Sequence, residues 1–160
     1  GIKEATGDII IYSFTPDGNM LPEKFSQLIE KMKEGYDLVC VSRYKDYAKS
    51  EDDSFVSAIG NYFFTKLVNI LFKGQLTDVL GGFKAAKKEF LKELIEKEPA
   101  MVTIGTQVSI SCLKNNLKYC DIPGDEPKRI GGKSSTSVII NGVLELYTIL
   151  EAYFKKKNIY

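Results

Sequence analysis

The chain contains no histidine. That absence excludes imidazole acid–base catalysis, Ser–His and Cys–His triads, and the usual His-containing zinc sites. An excess of charge of one sign is also missing. Lys and Arg number 22 against 21 Asp and Glu, for a net charge of +1, so no global field recruits nucleic acid or an anionic membrane. Any basic function must be local. Cysteine is scarce: Cys40, Cys112 and Cys120 form an odd set in or beside apolar segments. Such a set fits reduced, buried thiols of a cytoplasmic protein better than a disulfide framework. No signal peptide, no apolar run long enough to span a bilayer, no internal repeat and no low-complexity tract is read in the sequence. What remains for chemistry is carboxylates, Lys and Arg, hydroxyls, or a metal held by oxygen.

The 160 residues suit one domain with a real core. Apolar Asp8–Phe14 reads as a strand covered on both faces. Pro22 and Glu23 open a helix with the stripe Phe25, Leu28, Ile29 and Met32, closed by Gly35. Asp37–Ser42 is a second buried strand. After a polar loop ending in Glu51-Asp52-Asp53, Ser54 caps a helix through about Phe72. That helix is apolar nearly all round, so it is either sandwiched in protein or faces a membrane or partner. Thr77–Ala85 reads as a loop and short strand, Lys87–Glu96 as an amphipathic helix, and Thr103–Lys114 as another helix. A strand at Tyr119–Ile122 and a Gly/Pro/charge-rich loop follow. A helix from Ser135 to about Lys156 carries the stripe Ile139, Val143, Leu146, Tyr147, Leu150 and Phe154. The alternation predicts an α/β domain with a mainly parallel sheet flanked by helices.

In such sheets ligands collect at the carboxyl ends of strands, where Thr15-Pro16-Asp17-Gly18-Asn19 falls. Asp17 and Asn19 supply oxygen ligands for a hard divalent cation, and the same residues also make a good tight turn. Chain order and spacing add a resemblance. Gly7-Asp8 with its strand and Asp17-Gly18-Asn19-x-x-Pro22-Glu23 is similar to the Asp-x-Asp metal segment of the family 2 glycosyltransferases, of GT-A type. Gly35–Tyr44 resembles their Gly-Ser-Arg-Tyr strand end, and Thr77-Asp78 to Gly82-Phe83-Lys84 their Thr-Asp-x-x-x-Gly-Phe-Arg loop. Asp121-Ile122-Pro123 to Arg129–Ser134 resembles their Ile-Pro…Arg-x-x-Gly-x-Ser segment. The polyprenyl-phosphate sugar synthases, of dolichol-phosphate mannose synthase type, share these signatures.

The resemblance implies a GT-A-like fold in which residues 1–160 are the C-terminal portion of a catalytic domain, with the N-terminal nucleotide-binding part absent and the piece inactive alone. It implies inverting transfer from a nucleotide-sugar donor, assisted by a divalent metal (Mg or Mn) on Asp17 and Asn19. Arg43 would face the diphosphate or an acceptor phosphate, or else pair with the acidic loop that follows it. Arg129 and Lys133, flanked by Gly131 and Gly132, would clamp the leaving diphosphate. Asp78 would orient the acceptor, bind a sugar hydroxyl or cap the turn into Gly81-Gly82. Partners would be the donor, a lipid-phosphate acceptor at a membrane surface, or a second copy of the chain, with no nucleic acid; the place would be the cytoplasm or the inner membrane face. Three departures stand out: Thr15 in place of the first metal Asp, Gln107 where a catalytic carboxylate is expected, and Glu51-Asp52-Asp53 where lipid-phosphate enzymes are basic. A non-catalytic α/β module binding a partner through its apolar helices is the alternative.

Overall fold

The computed structural model describes residues 1–13, 18–19, 21–97, 103–131 and 137–155. Thr15, Asp17, Gly132 and Lys133, and with them half of the expected metal pair and half of the expected clamp, lie outside the described residues. The element order is β1 (Ile9–Tyr12), α1 (Lys24–Lys33), β2 (Leu38–Ser42), α2 (Phe55–Phe72), β3 (Lys84–Lys87), α3 (Lys88–Lys97), α4 (Ile104–Lys114), β4 (Tyr119–Pro123) and α5 (Val138–Phe154). Each predicted element forms. Gly35 closes α1 at a φ of 87°, and the Ser54 hydroxyl accepts the Ser57 N–H at the head of α2.

The four strands stand in the order β1-β3-β2-β4. Three strands, β1, β2 and β4, run the same way, as the sequence leads one to expect, and one is reversed. β2 and β4 are parallel, whereas β3 runs antiparallel to both β1 and β2. β3 enters from a loop that has already returned to the carboxyl edge of β2, so it can only run back.

Period-2 alternation sends each strand's side chains to two cores. Val39 and Val41 of β2, with Ala85 and Ile122, pack on Leu28 and Met32 of α1. Leu38 and Cys40 face the other way, into a core closed by Val68, Leu91, Leu94, Val108, Ile110 and Ile149 of the remaining helices. The three thiols are free; burial pushes Cys40 well up and Cys112 up to about 12, which fits inert packing residues.

Two helices present apolar side chains to the outside. α2 is not sandwiched: Phe55, Val56, Ile59, Tyr62, Phe63 and Ile70 are exposed. By length and composition α2 is also apolar enough to cross a membrane, where the sequence reading found no such run. The stripe read on α5 points outward, with Ile139 78% and Phe154 76% exposed, while Thr148 and Ile149 face the core. α2 and α5 pack on each other, so their exposed faces adjoin.

Candidate functional site

The sheet brings four chain segments to one edge. β1, β2 and β4 all end there, and β3 begins there, so the residues after Tyr12, Ser42 and Pro123 meet those before Lys84. This is the edge at which open α/β sheets bind ligands. A small cleft of about 40 Å³, open to solvent, lies along it, lined by Asn19, Arg43, Gly81, Gly82, Asp125 and Glu126 among others. Loop 124–131 reaches across to the 18–19 turn. A Cβ added at Gly18 would lie 2.4 Å from Ile130 Cδ1, and Gly18 has a φ of 76°, which only glycine adopts without strain.

Arg43 is the hub of the cleft. Its Nε donates to Asp78 Oδ2 at 2.7 Å, and its Nη2 to Asp78 Oδ1 at 3.1 Å. Its Nη1 is shared between Asp53 Oδ2 at 3.1 Å and Glu126 Oε2 at 3.2 Å. Three carboxylates thus surround one guanidinium. Burial works against the Arg43 charge, but Asp78, Glu126 and Asp53 outweigh it and raise its pKa further above the usual value. Of the two readings of Arg43, the structure shows the ion pair with the following loop, extended to two partners distant in sequence.

Asp78 is fully buried. Besides the guanidinium it accepts the backbone N–H groups of Arg43 and Gly81 and the Asn61 side-chain amide. Burial alone would raise its pKa, but the Arg43 charge and hydrogen bonds hold it below the ordinary aspartate value. A carboxylate so enclosed and so stabilised in its charged form does not serve as a general base or meet an acceptor. Of the readings of Asp78, the structure shows the turn cap at Gly81, and the same carboxylate also anchors Arg43.

That anchor is held from behind by α2. Asn61 donates to Asp78 Oδ1 at 3.0 Å; Thr65 Oγ1 accepts the Val79 N–H; Asn69 exchanges two bonds with the Leu76 main chain. These polar residues recur every four positions, so they form one ridge of the helix. Lys84, also fully buried, donates to the carbonyls of Val79 and Gly105 and to Ser109 Oγ, tying the loop to the head of α4. Asp121 accepts the Thr77 N–H and hydroxyl; burial, only partly offset by those bonds, raises its pKa.

Arg129 grips Asp52 with Nε and Nη2, the latter at 2.6 Å from Oδ2, and its bonds hold Asp52 below the ordinary range. A parallel bridge between Ser50 and Glu126 and the Glu126 N–H to Lys49 carbonyl bond fasten loops 44–53 and 124–131 together. Gly131 ends the described part of the second loop.

Gln107 is not brought to the cleft. It lines a separate depression with Leu94 of α3, Ile110 of α4, and Thr148 and Glu151 of α5. The position where a catalytic carboxylate was expected therefore faces another part of the molecule. Glu126 and Asn61 escaped the sequence reading. The ridge Asn61-Thr65-Asn69 inside an otherwise apolar helix was the signal for the second. For Glu126 the signal was its place just past the carboxyl end of β4.

Asn19 is 4% exposed. Its Nδ2 lies 3.4 Å from Glu126 Oε1, and its buried Oδ1 has no hydrogen-bond partner among the described residues. Among the described residues no group of three metal-ligating side chains occurs.

A mixed sheet flanked by helices, with an arginine–carboxylate hub and a carboxamide oxygen at its carboxyl edge, defines an α/β protein with a ligand cleft at the strand ends. The model of Glycosyl transferase family 2 matches residues 1–95, more than half of the chain, and the chain belongs to that family. The match takes in β1, α1, β2, α2 and β3, hence Asn19, Arg43, Asp53 and Asp78 of the site; Glu126 and Arg129 lie beyond it.

Proposed function

We propose that the protein transfers a sugar from a nucleotide-sugar donor to an acceptor with inversion, assisted by a divalent ion. The observation that carries this reading is the buried, unpartnered Asn19 oxygen at the cleft, two residues from Asp17, in a chain of this family. A buried acceptor without a donor costs free energy, which a cation would offset, so the residues present fit a hard metal. Asp17 and Asn19 would hold it, with the donor phosphates and water completing the shell. The ion would supply positive charge against the leaving diphosphate.

The chain's own residues do the rest. Gly81 lies at the cleft, and a Cβ there would press on Asp78 Oδ2 at 3.0 Å, so glycine lets the turn close on the anchor of Arg43. Arg129 and Lys133, beside Gly131 and Gly132, would close on the diphosphate, with Arg129 exchanging Asp52 for phosphate oxygens as negative charge builds there. Manganese-dependent thermal stabilisation by a nucleoside diphosphate tests the reading: wild type gains stability and Asp17→Ala does not.

A second reading rests on the adjoining exposed faces of α2 and α5. They favour attachment to a membrane surface at the cytoplasmic side, or to a second copy of the chain, whether or not the cleft is catalytic.

A further inference from the structure

The charge state of the cleft bears on the acceptor. Arg43 is the guanidinium that lines it, and three of its nitrogens are taken by carboxylates. A phosphate acceptor would have to displace Asp53 or Glu126 from Nη1. Neither is loosely placed. Glu126 also accepts the Ser50 hydroxyl at 2.5 Å and the Asn19 amide, and its backbone is bridged to loop 44–53. Asp53 accepts the Tyr44 hydroxyl as well, and its N–H donates to Ser50 Oγ. With Asp78 included, three negative charges face one positive charge, and Asp125 adds another at the lining. A phosphate monoester that approaches Arg43 without a cation of its own therefore meets like charge at close range, whereas the donor diphosphate would arrive against the divalent ion at Asp17 and Asn19.

We propose that Asp53 and Glu126 are specificity-determining residues that exclude phosphate from Arg43, so that the acceptor is an uncharged hydroxyl. This rests on the transferase reading and deepens it. The acceptor oxygen bonds to the anomeric carbon as the bond from that carbon to the diphosphate breaks. The electron pair leaves with the diphosphate, and the hydroxyl proton passes to a carboxylate. Asp125 is placed for that role: it is exposed, lines the cleft, and uses Oδ1 to accept the Lys49 N–H, while Oδ2 accepts no bond among the described residues. A phosphate acceptor would need no base, so an available carboxylate here agrees with a hydroxyl.

The experiment titrates geranyl monophosphate, a short lipid phosphate, into wild type, Asp53→Asn, Glu126→Gln and the double variant by calorimetry. Asp78 is kept so that Arg43 stays anchored, and the single variants serve if the double one does not melt cooperatively. Binding is expected to tighten by about tenfold or more in the variants, and to fall back when Arg43→Lys is added. Wild-type binding as tight as that of the variants overturns the proposal. So does the lack of any gain in the variants, or a gain that survives Arg43→Lys. Manganese-dependent stabilisation by a nucleoside diphosphate reports the donor side separately, so loss of this proposal and loss of the transferase reading are distinguishable.

Discussion

Asp78 and Asp121 are two buried aspartates in neighbouring segments whose environments push them in opposite directions. Asp78 is held below the ordinary value of 3.8, so its stabilising contribution is complete above that value and is lost as pH falls through the lower folded value. Asp121 is raised, so the folded protein keeps its proton above 3.8, and stability falls as pH rises through that window. Urea unfolding against pH is therefore expected to show a modest gain on acidification toward pH 4 and a steep loss below it. Asp121→Asn shrinks the gain and leaves the part due to Glu145, whose carboxyl burial also raises. Asp78→Asn reduces the acid loss to the part that Asp52 still supplies and lowers stability at neutral pH by about 3 kcal/mol, because Arg43 is left buried with its main partner gone.

Part of this site could be read residue by residue. Arg43 and Asp78 fall within short signatures, and the acidic run after Arg43 already offered it a partner. The distant partners could not be read that way. Glu126 is 83 positions from Arg43, and only the parallel pairing of β2 with β4 brings them together. Burial separates a base from an anchor, and Asp78 has the same letter in either role.

At the scale of elements, α2 is fixed by two kinds of polar contact, a cap at its head and a ridge along its side. Ser54→Ala removes the cap and is expected to cost about 1 kcal/mol. Asn61→Ala takes a donor from a fully buried carboxylate and is expected to cost more, about 2 kcal/mol. Chemical denaturation of the two variants checks the order; an Asn61 variant no less stable than the Ser54 one contradicts the ridge. Periodicity placed all the helices because it reports which side chains share a face. It does not say which face is inward. On α5 the apolar stripe is outward because Thr148 and Ile149 are the residues that meet α4, with Thr148 Oγ1 accepting the Thr103 hydroxyl at 2.9 Å. The reversed direction of β3 was equally illegible, since Lys84-Ala85-Ala86-Lys87 reads the same in either direction.

For the whole molecule, the cleft and the exposed apolar faces are joined through α2: Asn61 reaches Asp78 on one side while Phe55, Ile59, Tyr62 and Phe63 stand in the open on the other. Replacing Ile59 and Phe63 together by Ser or Gln should leave folding stability within roughly 0.5 kcal/mol, as for other exposed positions, while abolishing vesicle binding or self-association. Co-sedimentation with anionic vesicles and analytical ultracentrifugation check it; a large loss of stability would show that the face is part of the core.

The central claim is a metal-assisted nucleotide-sugar cleft at the carboxyl edge of the sheet, and thermal unfolding with manganese and a nucleoside diphosphate tests it most directly. At ligand far above its dissociation constant, stabilisation of about 3 kcal/mol raises the melting temperature of wild type by roughly 6 °C or more. That rise should require manganese and vanish in Asp17→Ala and Asn19→Ala. No rise in wild type, or an equal rise in both variants, would contradict the account.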